Sequence, residues 1–87
     1  MQFLKNIQFT CLIKCEGKQR EFNFRKRTAT TLPYYNVDTV DLRGTRFRFN
    51  MDQSGDHWII REKDLPNWIL EAELNLSQSL LEMDGKE

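Results

Sequence analysis

An α+β fold is expected for this chain: an antiparallel sheet of four or five strands, built from two hairpins and a linking segment, with one C-terminal helix packed on one face. Three features predict it. Apolar and polar residues alternate along separate runs in the first two thirds of the chain. Clusters of turn formers divide those runs. After Asp64-Leu65-Pro66 the apolar spacing becomes helical and stays so to Met83.

Ile7, Phe9, Cys11, Ile13 and Cys15 recur with period two, while Gln8, Thr10 and Lys14 fill the opposite face and Leu12 breaks the pattern. This is a strand. Glu16-Gly17-Lys18 is a turn, with Gly17 free to take positive φ. Between Arg20 and Arg27 the alternation resumes, with Phe22 and Phe24 inward and Glu21, Asn23, Arg25 and Arg27 outward. The two runs form a hairpin.

A Thr-rich connection from Thr28 to Leu32 ends at Pro33, which biases Leu32 toward extended backbone. Tyr34 to Leu42 is a third strand. Val37 and Val40 differ in parity, so a bulge or bend is expected there. Arg43-Gly44-Thr45 is a tight turn. Arg46 to Met51 points Phe47, Phe49 and Met51 inward and Arg46, Arg48 and Asn50 outward. Asp52 to Asp56 is a loop of turn formers. His57 to Glu62 completes a second hairpin, with Trp58 and Ile60 inward and His57, Ile59 and Arg61 outward.

Asp64 is a good N-cap, and Pro66 is tolerated in a first helical turn, where the N–H has no acceptor. At 100° per residue, Leu65, Ile69, Ala72, Leu76, Leu80 and Met83 gather on one side, which should cover the Phe-rich sheet face. Leu70, Leu74 and Leu81 fall on the far side, where a surface helix is ordinarily polar. A helix of this span is about 28 Å long against about 20 Å for a six-residue strand, so its end should overhang the sheet. These leucines are the candidate partner-binding residues. The alternative is that they fold under the Thr28–Tyr35 connection or stand singly exposed.

The 87 residues suit a single domain over 1–87, with 1–6 and 84–87 frayed. Its core is small; a chain this short buries roughly 60–65% of its unfolded surface. There is no repeat or low-complexity segment.

Formal neutrality conceals a split. Residues 1–50 carry ten Lys and Arg against four Asp and Glu, whereas residues 51–87 carry three against nine. Strand parity turns this into a statement about faces. Lys14, Arg25, Arg27, Arg46, Arg48, Arg61 and His57 should lie on the open side of the sheet, opposite the helix, and Glu71, Glu73 and Glu82 on the helix. A second copy could neutralise that face where one chain cannot, so association that weakens with salt is expected. The plain reading of the charged face is a solvated surface that keeps the open sheet soluble, and an acidic protein partner is the other candidate.

Nucleic-acid binding through this face is the alternative reading. The runs Phe22-Asn23-Phe24-Arg25-Lys26-Arg27 and Arg43-Gly44-Thr45-Arg46-Phe47-Arg48-Phe49 mix aromatic and basic residues. Strand neighbours point to opposite faces, however, so the aromatics are segregated from the arginines, and a stacking platform needs both together. The neutral balance argues the same way.

Catalytic and metal chemistry find no foothold. His57 is the only histidine and is expected on the exposed face beside a turn. Asp52, Asp56 and Asp64 lack calcium-loop spacing, and there is no phosphate loop, zinc motif or nucleophile elbow. Cys11 and Cys15 are four apart on one strand, about 13 Å, too far for a bridge, and read as small buried apolar residues. Trp58 and Trp68 read as core anchors. No run reaches the ~18–20 apolar residues of a membrane span, and the first fifteen residues lack the apolar stretch of a signal peptide. The expectation is a small cytoplasmic, non-enzymatic protein-interaction module that forms homo-oligomers through its helix, with no cofactor, metal, membrane or small-molecule ligand implied.

Overall fold

The structure, a computed structural model, describes residues 8–27 and 32–84. The first alternating run forms β1 (Gln8–Cys15) and returns as β2 (Lys18–Arg27). Only Glu16 and Gly17 separate them, with φ of 52° and 80°. Both dihedrals match the tight turns whose twist suits a two-residue hairpin. The turn sets Phe9 opposite Phe24 and Ile13 opposite Arg20.

β3 (Tyr34–Val40) and β4 (Arg46–Ser54) follow, then β5 (His57–Ile60). The five strands form one antiparallel sheet in sequence order, β1-β2-β3-β4-β5, and the sheet curls. The expected α+β class is therefore observed, with five strands. Asp41 organises the turn between β3 and β4: its carboxylate accepts from the N–H groups of Arg43 and Thr45, both at 2.9 Å. The second hairpin is tighter than expected, because β4 runs through Ser54 and leaves only Gly55 and Asp56 in the turn.

No bulge reconciles Val37 with Val40. β3 is regular: Tyr35, Val37 and Thr39 face the core, and Val40 lies on the exposed side. Thr39 takes the inward slot because its hydroxyl donates to the Glu21 carbonyl at 2.7 Å, so a polar atom is buried with its bond made.

The expected single helix is two. α1 (Asn67–Leu70) is one turn and α2 (Glu73–Asp84) carries the rest. The break lies at Glu71-Ala72, where the Ala72 N–H bonds three residues back to Ile69 O before Leu76 N–H resumes on Ala72 O. That tighter bond ends α1, and regular helix resumes as α2. Asp64 does not cap α1. The helix starts after Pro66, whose carbonyl accepts from the Ile69 and Leu70 N–H groups, and has no side-chain cap.

Ile69, Ala72, Leu76 and Leu80 pack on Phe22, Phe24, Tyr35, Val37, Phe49, Met51, Trp58 and Ile60. Tyr35 meets Trp58 edge-to-face at 5.1 Å, and Phe9 stacks on Phe24 at 4.8 Å. Each fully buried large side chain contributes about 1.5–3 kcal/mol, so this layer supplies most of the stability of so small a domain. α2 touches both edge strands, β5 and β1. Ile7, the Thr28–Thr31 part of the connection and the expected fraying at 1–6 and 85–87 lie outside the described residues. Among the described residues, no helix is long and apolar enough to cross a membrane.

Candidate functional site

Two surfaces remain once the core is accounted for: the outer side of α2 and the open face of the sheet.

On α2, the core takes one side and leaves another bare. Leu74 is 78% exposed and Leu81 38%. They are seven residues apart, two helical turns, and so share a side. Leu70 does not join them. It sits on α1, beyond the break, and is half-buried against the core. Met83, expected inward, is exposed near the end of α2.

The open face carries Lys14, Arg25, Arg27, Arg46, Arg48 and Arg61, all exposed, together with His57 and Leu12. Carboxylates share this face. Asp38 takes the Arg46 guanidinium at 2.9 Å, and Asp52 takes both Nε and NH2 of Arg61, at 2.9 and 2.7 Å. These hydrogen bonds hold the Asp52 carboxyl below its ordinary range, against a smaller opposing effect of burial, and hold Arg61 above its own. The face is thus partly neutralised within one chain, which the charge split alone did not reveal.

Register then builds two polar rows across it. Thr10, Asn23, Asp38 and Arg48 stand side by side on β1 to β4. The Thr10 hydroxyl donates to Asn23 Oδ1 at 2.7 Å, and Asn23 Nδ2 donates to Asp38 at 3.0 Å. In the next row Arg27 Nε donates to Asn36, Asn36 to Asn50, and Asn50 Nδ2 to Glu62 at 2.8 Å. A groove of about 720 Å³ runs over these rows, flanked by Arg25, Arg27, Arg46 and Arg48. The core-forming aromatics are on the other face. Tyr34 is the aromatic on this side, and the Arg61 guanidinium lies 4.9 Å from its ring centre.

Sequence reasoning missed Arg20. It faces the core, 9% exposed, with its guanidinium 4.4 Å from the ring centre of Trp68, and neither Nε nor NH1 finds an acceptor. The signal was present: Arg20 has the parity of Phe22 and Phe24. Nearby, burial pushes the Cys15 thiol above its ordinary value while Arg20 pulls against it. Cys15 is buried in the core cluster, where it serves as a packing residue. Both cysteines are free. His57 contacts the adjacent Asp56 at 3.3 Å on the exposed turn. Among the described residues no three His, Cys, Asp or Glu side chains converge as metal ligands.

No family model matches the chain, and no curated protein or solved structure matches it.

Proposed function

We propose that this protein is a small cytoplasmic, non-enzymatic interaction module that associates with a second copy of itself through the outer side of α2. The exposure of Leu74, with Leu81 two turns further along, carries the reading. Two such helices packed antiparallel about a two-fold axis set Leu74 of one copy against Leu81 of the other, with Gln78 near the axis. The contact is self-complementary and closes at two copies. It is also small. Stable interfaces bury upward of about 1,000 Å² in total, so a weak, concentration-dependent dimer is expected.

The sense of the salt dependence changes on this geometry. Asp38 and Asp52 already pair with Arg46 and Arg61, so cross-copy neutralisation loses part of its drive. Glu71 and Glu82 flank the leucines on each copy, and salt screens their mutual repulsion. Added salt should therefore strengthen association.

Sedimentation equilibrium across concentration and salt is the test. A parent that dimerises, with a folded Leu74→Glu variant that stays monomeric, supports the proposal. A parent that is monomeric throughout, or a variant that dimerises equally well, overturns it.

A further inference from the structure

The groove on the open face has an uneven hydrogen-bond balance. Each of its carboxylates and asparagine carbonyls already takes a bond from the groove's own donors, although Asp38 receives both of its bonds on Oδ1. Asp38 receives Asn23 and Arg46, and Glu62 receives both the backbone N–H and the amide of Asn50, each at 2.8 Å. The Asn23, Asn36 and Asn50 carbonyls each accept a bond too. What remains is mostly donors, Asp38 Oδ2 apart. Among the described residues Arg25 and Arg48 make no side-chain hydrogen bond or ion pair, and Arg27 and Arg46 use part of their guanidinium groups. Four arginines stand against two carboxylates in this groove, leaving two positive charges. A site with surplus charged donors and a surplus of positive charge selects an acceptor-rich anion.

The register says what kind. Arg25 stands opposite Asn36 on β3, and Arg48 opposite Asp38, so the two free arginines lie on either side of β3, two residues out of step. From strand spacing and rise, their Cα atoms are about 12 Å apart, and two extended arginine side chains can meet on one group between them. A carboxylate offers two oxygens in one plane and serves one guanidinium fork. A tetrahedral phosphate offers acceptor edges to two forks, and its double charge matches the surplus. The groove holds more than a lone phosphate, since ligand sites of about 300–1,000 Å³ take whole small molecules. A nucleic-acid strand fits less well, because among the described residues the face offers no free aromatic platform for bases.

We infer that the open-face groove binds a compact phosphate-bearing ligand, held between Arg25 and Arg48 across β3, beside Asn36. The groove lies across the sheet from α2, so this site does not depend on self-association.

The experiment is a titration of the full chain, followed by backbone and arginine side-chain N–H resonances, with inorganic pyrophosphate at constant ionic strength. Expected are saturable shifts centred on Arg25 and Arg48, and at least a tenfold loss of affinity in the Arg25→Gln/Arg48→Gln variant. A control that removes two charges outside the groove, Lys18→Gln/Arg43→Gln, should bind as the parent does. If the glutamine variant fails to fold, Arg25→Lys/Arg48→Lys keeps the charges while removing the forks, and it too should bind more weakly. A phosphoserine peptide distinguishes the source: tighter binding than pyrophosphate at the same residues assigns the ligand to a phosphorylated protein, equal or weaker binding to a free phosphate compound. Absence of saturable shifts up to about 10 mM pyrophosphate, a range that covers even millimolar sites, overturns the inference. So does equal loss in the off-groove control, or binding to oligothymidylate that tightens with length and exceeds that of pyrophosphate. Leu74→Glu should bind pyrophosphate as the parent does, which separates this result from the fate of the dimer.

Discussion

The Ser77 hydroxyl accepts the backbone N–H of Trp58 at 2.8 Å, and one turn earlier Glu73 Oε2 accepts the N–H of Ile60 at 2.6 Å. β5 is an edge strand, and these are donors on the side turned away from β4. Two strand residues advance about 6.8 Å and one helical turn about 5.4 Å. A helix running alongside the strand can therefore meet both with side chains four apart. The edge is closed without another strand, which removes one route to edge-to-edge aggregation.

Ser77→Ala leaves the buried Trp58 N–H without an acceptor and should cost about 1–3 kcal/mol. Glu73→Ala should cost a similar amount and open the edge to pairing. Glu73→Gln keeps an acceptor oxygen and should cost less than the alanine change. Urea unfolding reads all three; an alanine change at Ser77 without measurable cost would remove the edge-capping role.

The turn between β1 and β2 carries removable strain. Glu16 adopts φ 52° with a side chain that gains nothing from it, whereas asparagine is preferred at this position of such turns. Glu16→Asn should stabilise by about 0.5 kcal/mol. At Gly17 a Cβ would meet nothing within 4 Å, so Gly17→Ala isolates the backbone penalty, about 1 kcal/mol of destabilisation. Thermal unfolding should move in opposite directions for the two variants; the same direction for both would contradict the strain argument.

How much could be read beforehand differs between elements for physical reasons. Strand parity depends on neighbours in the chain, so the Phe22–Phe24 and Phe47–Phe49 faces, and the arginines opposite them, were legible. Val40 misled because hydrophobicity was set above parity, when the Thr39 hydroxyl had a carbonyl waiting on β2. The break at Glu71-Ala72 was hidden because the residues there are fair helix formers, so propensity alone gives no interruption. Ser77 looked like any solvated helix serine; its role depends on where β5 lies. The groove was equally invisible, since its asparagine rows exist only once Asn23 meets Asp38 and Asn36 meets Asn50 across strands.

Arg20 tests whether a buried cation helps this fold. Its stem and guanidinium cover Trp68, which also packs on Phe22 and Phe47, each with ring centres 6.2 Å away. Against that stands the cost of two guanidinium nitrogens without acceptors. Arg20→Met keeps the apolar cover and removes the desolvated charge, so stability should hold or rise by about 1 kcal/mol. Arg20→Ala uncovers the indole and should destabilise by about 1–2 kcal/mol, with a red-shifted tryptophan emission. A methionine variant as unstable as the alanine one would show that the cation–ring contact outweighs its desolvation.

The Asp52–Arg61 pair supplies the pH dependence. The folded chain holds Asp52 below its ordinary range, chiefly through the Arg61 hydrogen bonds. A depressed carboxyl stabilises fully above the unfolded value, about 3.9, and the gain is lost as pH falls through the folded value. Both partners are substantially exposed, so the pair is worth only a small amount at neutral pH. Asp52→Asn should therefore lower stability by that amount at pH 7 and converge on the parent as pH falls through the folded value of Asp52, where its side chain becomes neutral. Arg61→Gln loses more, because the guanidinium also stacks on Tyr34, and that contact does not titrate with Asp52. Its deficit should shrink on acidification without vanishing. Parallel pH–stability curves for parent and Asp52→Asn would exclude this pair as the source of the titration.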